Sequence, residues 1–148
     1  MTLNIRPAVP DDLPEVLAMM GELARHHGDE ATISPQDLYQ QIFDQRAARV
    51  MVAAEEEGLV GYALLLARPN MVTGGAGHDI NHLFVVEWRR RAGIGRALIA
   101  ALREVAQAER SEILMIGTHW KNLDAQRAYR DMGLEEVAHG PRFKVDLA

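Results

Sequence analysis

Cysteine is absent from the sequence. The chain therefore has no disulfide framework, no thiolate metal site and no cysteine nucleophile, so a thiol that takes part in its chemistry has to come from a cofactor. Long hydrophobic runs are also absent, since no apolar stretch approaches the length that crosses a bilayer. The first six residues lack the apolar core of a secretion signal. We therefore expect a cytoplasmic protein with no membrane partner.

Positive charge is scarce over most of the chain. The net charge is −5, from 16 basic and 21 acidic residues. Residues 88–110 nevertheless contain six of the basic and two of the acidic residues, which makes that segment +4 and leaves −9 for the rest. A general nucleic-acid binder is more basic overall, so nucleic acid is not an expected partner. A basic segment on an acidic chain suits one compact anionic ligand together with a cationic co-substrate.

The remaining composition is that of an ordinary globular protein. The chain has 148 residues, of which 48% are hydrophobic and 25% charged. This length and composition predict a single domain, residues 1–148, with a substantial core. We find no internal repeat, no low-complexity segment and no linker.

The most informative stretch runs from Asn81 to Leu102. Residues 83–86 are apolar, aromatic or β-branched without interruption, which predicts a strand buried on both faces. From Ile94 onward, apolar residues recur with the spacing of one helical face. Between the two lies a basic loop with two glycines, which therefore opens directly onto the start of a helix.

This loop has the features of a phosphate-binding site. The first N–H groups of a helix lack internal partners and carry the positive end of its dipole, so an anion binds there. Gly93 and Gly95 let the backbone approach a bulky phosphate, and Arg90, Arg91 and Arg96 add charge. The alternative is a plain tight turn with solvated arginines. The dinucleotide fingerprint and the Walker loop both require residues that this segment lacks.

The other segments predict a mixed sheet flanked by helices. A strand at residues 3–6 precedes two helices, and a hairpin at 49–55 and 59–67 is followed by a flexible loop over 68–79. After the central strand and helix come a strand at 113–119, a helix at 122–132 and two closing strands at 135–139 and 143–147. The predicted order is βααβββαβαββ, an α+β fold with a mostly antiparallel sheet.

The motif Arg90-x-x-Gly93-x-Gly95 after an apolar strand resembles the acyl-CoA loop of the GCN5-related N-acetyltransferase (GNAT) superfamily. The order of the elements and the motif Asn122-x-x-Ala125-x-x-Ala128-Tyr129-x-x-x-Gly133-Leu134 extend the resemblance to the whole chain. Residues 22–24, 34–38 and 141–146 are most similar to the diamine and thialysine acetyltransferases.

The resemblance implies an acetyl-CoA-dependent N-acetyltransferase acting on a small amine such as a diamine or an amino acid. It also implies a homodimer. Two alternatives are an acetyltransferase for a protein N-terminus or lysine, and a non-catalytic acyl-CoA-binding module. The residues that the resemblance assigns to the cofactor are Leu83, Phe84, Val85, Arg90, Arg91, Gly93, Ile94, Gly95, Arg96, Asn122 and Tyr129.

Three residues are candidates for the chemistry itself. Tyr129 corresponds to the family position whose hydroxyl protonates the departing thiolate. Asn81 and His82 stand where the diamine enzymes carry two adjacent acids, so His82 and Asp79 are the candidates for the base that takes the amine's proton. Strict alternation would place His82 on the face of Phe84, where it could equally be a packed structural histidine. Alternation also puts His78 and His82 on one face about 13 Å apart at about 3.3 Å per residue, so no metal site is expected.

Overall fold

The computed structural model describes residues 2–138 and 140–148. The chain forms two compact units, one ending at Gly117 and one comprising Thr118–Ala148, and each is described by itself. Within the described ranges, no helix is both long enough and apolar enough to cross a membrane.

The first unit contains a five-stranded sheet in the order β1-β2-β3-β4-β5. All neighbouring strands are antiparallel except β4 and β5, which are parallel. The α+β architecture with a mixed, mostly antiparallel sheet is therefore confirmed. The elements are β1 (Asn4–Pro7), α1 (Leu13–His26), α2 (Pro35–Tyr39), β2 (Ala48–Glu55), β3 (Gly58–Ala67), β4 (Ala76–Val85), α3 (Ile94–Ala108) and β5 (Ser111–Ile116).

Helices cover both faces of this sheet. On one face, α1 and α2 pack over a buried cluster that includes Tyr62 and Phe84. On the other face, α3 buries the apolar stripe predicted from its sequence, including Leu98. Gly61 lets α3 come close, because a Cβ there would lie 3.4 Å from Leu98 Cδ1 and 2.8 Å from the Phe84 carbonyl oxygen. The neighbouring β3 residues Gly61 and Tyr62 thus face α3 and the α1/α2 cluster, on opposite sides of the sheet.

Strand β4 begins earlier than expected. The loop predicted over residues 68–79 ends before Ala76, so Asp79 lies within β4. Gly77 is a strand residue rather than a turn residue. A glycine is needed there, because a Cβ at Gly77 would lie 2.5 Å from the Arg68 carbonyl oxygen. The Arg68 N–H donates to the Gly77 carbonyl over 2.7 Å. The glycine permits this close approach of two backbones.

A β-bulge at Asn81 changes which residues of β4 share a face. The register pairs Leu64 with His82 and Leu65 with Ile80, so Asn81 is an extra residue on β4. Such a bulge shifts the alternation of side chains by one position. His78 and His82 therefore lie on opposite faces, and the expectation that they share one is wrong.

The second unit contains α4 (Leu123–Asp131), which confirms the last predicted helix. Asn122 caps its start and Gly133, with φ 86°, follows its end. The two closing strands are wrong for residues 135–138 and 143–147, which form no strand, while His139 lies outside the described residues. The observed order is βααβββαβα.

The physical reason is that an alternating pattern produces a strand only when a partner satisfies its backbone. Phe143 and Leu147 are 95% and 93% exposed, so the alternating apolar residues of this segment bury nothing. Without burial or a hydrogen-bonded partner, nothing offsets the entropy lost on extending the chain.

Candidate active site

A short turn anchors the end of β4 before the basic loop begins. Residues Glu87–Arg89 form one turn of 3-10 helix. Arg89 donates from Nε and Nη2 to the two carboxylate oxygens of Glu55, over 2.8 and 2.9 Å. The Glu55 side chain is 5% exposed, so this pair is largely desolvated on the acid's side. It ties the start of the loop to β2.

The loop presents backbone N–H groups at the start of α3. Arg91 and Gly93 both have left-handed backbones, with φ of 64° and 82°. Successive amides near such residues form concave sites for anions. The Ala97 N–H bonds back to the Gly93 carbonyl over 3.0 Å, so the amides before it, including those of Ile94, Gly95 and Arg96, are the ones without intrahelical partners.

This arrangement fits a pyrophosphate. A Cβ built on Gly93 would meet no atom within 4 Å, so the space beside the loop is open. The Arg91 and Arg96 side chains are exposed and can reach an anion bound there. Orphan amides, the helix dipole and two cations all favour negative charge at the same place.

The Arg90 side chain extends toward the C-terminal end of β4. Its Nε donates to the Val85 carbonyl over 2.9 Å, and its Cζ lies 5.7 Å from the centre of the Phe84 ring, a cation–π distance. Among the described residues no carboxylate pairs with it. Arg90 is therefore held beside the end of the central strand, next to Phe84 and Val85, which the resemblance assigns to the cofactor.

One edge of β4 is open beyond the bulge. The parallel pairing with β5 ends at Ile80 and Ile116. Strand β5 itself ends at Ile116. The remaining half of β4 continues to pair with β3 only. The unpaired edge of β4 therefore lies beside the residues expected to bind the cofactor.

Hydrogen-bond alternation decides which amides face that open edge. The Val86 N–H donates to the Val60 carbonyl of β3 over 2.9 Å. Since neighbouring residues of an antiparallel strand point to opposite edges, Phe84 also bonds to β3, whereas Leu83 and Val85 face away. Leu83 and Val85 therefore have the free amides among the three strand residues predicted to contact the cofactor. An extended, amide-containing arm can bind along such an edge as an added strand does.

His82 and Asp79 lie on the α1/α2 face. Asp79 is opposite Leu66, and His82 is opposite Leu64; both leucines belong to or pack on the cluster under α1 and α2. The bulge brings the acid and the imidazole to one face, about 7 Å apart by strand spacing. His82 Nδ1 lies 3.1 Å from the Tyr62 hydroxyl. Burial and the nearby His27 lower the pKa of His82, which favours the neutral imidazole.

The end of α1 forms the rim of this region. The His26 ring lies 6.3 Å from the Phe84 ring. A shallow depression of about 220 Å³ is lined by Glu22, Arg25 and His26. Its charges are of both signs, so the rim by itself does not select a cation or an anion. Among the described residues, no three His, Asp or Glu side chains are grouped to hold a metal ion.

Two predicted site residues belong to the second unit. Asn122 Oδ1 accepts from the Ala125 N–H over 3.1 Å, which caps α4 and leaves the Asn122 amide nitrogen for other contacts. Tyr129 lies in the last turn of α4 and is half-buried. Burial raises the pKa of Tyr129, which keeps its hydroxyl protonated.

Tyr62 was missed by reasoning from the sequence. It is fully buried in β3, with its hydroxyl against His82. The available signal was a tyrosine in the middle of an otherwise apolar strand, because a buried phenol requires a hydrogen-bond partner. The identity of that partner depends on the register between β3 and β4, which lies beyond local sequence.

Comparisons with known proteins agree with this geometry. The Acetyltransferase (GNAT) family matches residues 16–134. The chain is similar to an acetyltransferase from Trypanosoma brucei, with 26% identity, TM-score 0.77, and coverage of 99% of this chain and 100% of that one. It is also similar to a ribosomal-protein-alanine N-acetyltransferase from Brucella melitensis biovar Abortus 2308, with 22% identity, TM-score 0.77, and coverage of 99% and 100%.

A third similar structure is an aminoglycoside acetyltransferase from an uncultured soil metagenomic sample. It shows 21% identity, TM-score 0.80 and coverage of 97% of each chain. Because the family match spans the central strand, the basic loop, α3 and α4, the chain belongs to the GNAT family and is an N-acetyltransferase that takes its acetyl group from acetyl-CoA.

Proposed function

We propose that the enzyme acetylates a primary amine of a small molecule, by direct attack of that amine on the thioester. The observation that carries this proposal is the edge of β4 beyond Ile80, which is not paired with β5 and is followed along the chain by the basic loop and the start of α3. Acetyl-CoA supplies the acetyl group as a thioester. The chain's own residues then have to hold the donor, admit the amine and move two protons.

Backbone amides would provide most of the contacts to acetyl-CoA. The amides at Arg91–Arg96 and the charges of Arg91 and Arg96 would hold the pyrophosphate, with Arg90 beside them. The amides of Leu83 and Val85 would hold the pantetheine arm and steady the thioester oxygen. Preorganised amides aimed at developing negative charge are the usual means of lowering the barrier in acyl transfer.

Side chains would transfer the protons in this reaction. An ammonium has no lone pair, so the amine must lose a proton before it attacks, and we assign that proton to the Asp79 and His82 face. Tyr129 would donate a proton from its Oη to the departing thiolate sulfur, and the proton that the nitrogen loses on becoming an amide would restore the tyrosine through water. This role requires a protonated hydroxyl, which a tyrosine has at neutral pH; burial raises the pKa of Tyr129 further and makes it a weaker acid.

Both units would contribute to one N-acetyltransferase domain, residues 1–148. The family match crosses the boundary after Gly117 and includes α4, which supports this assignment. We further propose a homodimer, as the resemblance implies, and a cytoplasmic location, as expected from the hydrophobicity of the sequence. Sedimentation equilibrium of the purified protein checks the oligomeric state.

Several classes of amine are candidates for the acceptor. The resemblance to diamine and thialysine acetyltransferases favours a diamine, whereas Asn81 and His82 in place of two acids argue against a polyamine. Acetylation of a protein N-terminus or lysine, and binding of acyl-CoA without turnover, are the alternatives.

A panel of amines with acetyl-CoA, monitored by release of free thiol, tests the proposal. The panel should contain diamines, amino acids, an aminoglycoside and peptides with free N-termini, and Tyr129→Phe is the matched control. We expect turnover with at least one small amine and strongly reduced turnover in the control. Turnover restricted to peptides would favour the protein acetyltransferase. Binding of acetyl-CoA without thiol release from any amine would favour the binding module.

A further inference from the structure

The hydroxyl of Tyr62 has one partner among the described residues. Tyr62 is 0% exposed, and its hydroxyl lies 3.1 Å from His82 Nδ1. Burial raises the pKa of Tyr62, so the phenol keeps its proton. A buried O–H needs an acceptor, because leaving it unpaired carries the full cost of removing it from water.

The same contact decides the tautomer of His82. When Tyr62 donates to Nδ1, the proton of the neutral imidazole resides on Nε2. In the other tautomer, Nδ1–H would donate to the Tyr62 oxygen and the phenolic proton would lose its acceptor. The arrangement with Nε2–H satisfies both groups. It therefore prevails as long as His82 is neutral.

The Nε2 side of His82 is accessible. Within the described ranges, Nε2 has no hydrogen-bond partner and is not among the buried side-chain atoms left without one, so it is in contact with solvent. Nε2 is thus reachable from outside the protein. The imidazole lies on the same face as Asp79 and close to His27.

We propose that Tyr62 is a positioning residue that fixes His82 as a neutral Nε2–H donor to an oxygen atom of the acceptor. A nitrogen that already carries a proton cannot accept another, so His82 is not the base in this arrangement, and the amine's proton goes to Asp79 or water. The acceptor then carries a carbonyl or carboxylate oxygen near its amine, as an amino acid does and a diamine does not. This inference rests on the proposed acetyl transfer to a small amine.

The tautomer can be measured without a substrate. Long-range ¹⁵N–¹H NMR correlations of the imidazole distinguish Nε2–H from Nδ1–H in the neutral protein. We expect Nε2–H in the parent and a mixture of tautomers in Tyr62→Phe, which removes one hydroxyl and little volume. A neutral Nδ1–H tautomer in the parent, or an unchanged pure Nε2–H tautomer in Tyr62→Phe, would overturn the role of Tyr62.

The contact to the acceptor is tested with two substitutions of His82. The glutamine side chain offers an N–H donor near the position of Nε2 but cannot act as a base, whereas alanine offers neither. With L-lysine as acceptor, we expect KM to rise about tenfold in His82→Ala, the scale of one hydrogen bond, and to stay within about threefold of the parent in His82→Gln. With 1,5-diaminopentane, which is lysine without the carboxylate, we expect the two variants to behave alike.

Equal impairment of His82→Gln and His82→Ala with lysine would return His82 to the role of base and refute the inference. The same holds if kcat/KM rises with pH in the parent enzyme and this rise is lost in both variants. Absence of thiol release with every amine in the parent enzyme would refute the proposed function and with it the acceptor contact. The role of Tyr62 in setting the tautomer is decided separately, by the NMR measurement.

Discussion

Gly93 and Gly95 are two residues apart in the basic loop, yet the structure predicts opposite effects when each is replaced by alanine. Gly93 is the N-cap of α3 with φ 82°, and a Cβ there would meet nothing within 4 Å. Its requirement for glycine is therefore conformational rather than steric. Gly95 lies inside α3, and its Cβ would sit 3.9 Å from Leu83 Cδ2 and Val85 Cγ2, an ordinary contact distance.

The backbone conformations of the two glycines determine how much each alanine substitution changes the free energy of unfolding. A side chain in the left-handed region costs roughly 1–2 kcal/mol, so Gly93→Ala should destabilise the protein by that amount. Alanine in place of a helical glycine stabilises by roughly 0.5–1 kcal/mol, so Gly95→Ala should gain stability. At roughly 2–4 °C of Tm per kcal/mol for a chain of this size, the two variants should differ by several degrees.

Thermal unfolding with and without acetyl-CoA measures both effects. At 100 times Kd the ligand stabilises a protein by about 2.7 kcal/mol. Gly95→Ala should keep that increment, because its methyl group faces β4, whereas Gly93→Ala should lose much of it as the amides before Ala97 move. Equal Tm values for the two variants without ligand would refute the conformational argument. A full ligand-induced shift in Gly93→Ala would refute the assignment of these amides to the pyrophosphate.

Three further substitutions test other parts of the structure. Tyr129→Phe should retain acetyl-CoA binding and lose roughly 10²-fold in kcat, the scale of general acid catalysis; activity within about twofold of the parent would make Tyr129 a packing residue. Arg89→Met should lower the free energy of unfolding in urea by about 3 kcal/mol, because it leaves the Glu55 carboxylate buried and unpaired; a loss below about 1 kcal/mol would show that Glu55 finds water. Burial and Arg49, which also engages the Glu109 carboxylate beside His78, lower the pKa of His78. As pH falls, the unfolded state therefore binds the proton first, and the free energy of unfolding decreases below about pH 6.5. His78→Gln should weaken this pH dependence, measured by denaturant unfolding at pH 7.5 and 5.5. An unchanged difference between the two pH values would assign the loss of stability to His82 and other groups.

The sequence alone determined the features that depend on neighbours along the chain. An uninterrupted apolar strand, a loop with Gly93 and a helix stripe starting at Ile94 each depend on residues a few positions apart. The start of α3 directly after Gly93 and the confirmed α+β fold both follow from such local patterns, and phosphate binding at this helix start stays a prediction. The hairpin β2–β3 and the helix α4 were predictable for the same reason.

Only the tertiary structure decided the features that depend on pairing between distant segments. The bulge at Asn81 is defined by the register with β3, and it moves Asp79 to the face of His82 and His78 to the other. The contact between Tyr62 and His82 spans 20 residues and sets the chemistry of the imidazole. The alternating residues 143–147 show the converse, because a strand pattern specifies which face would be buried but supplies neither the partner strand nor the hydrogen bonds that would hold it.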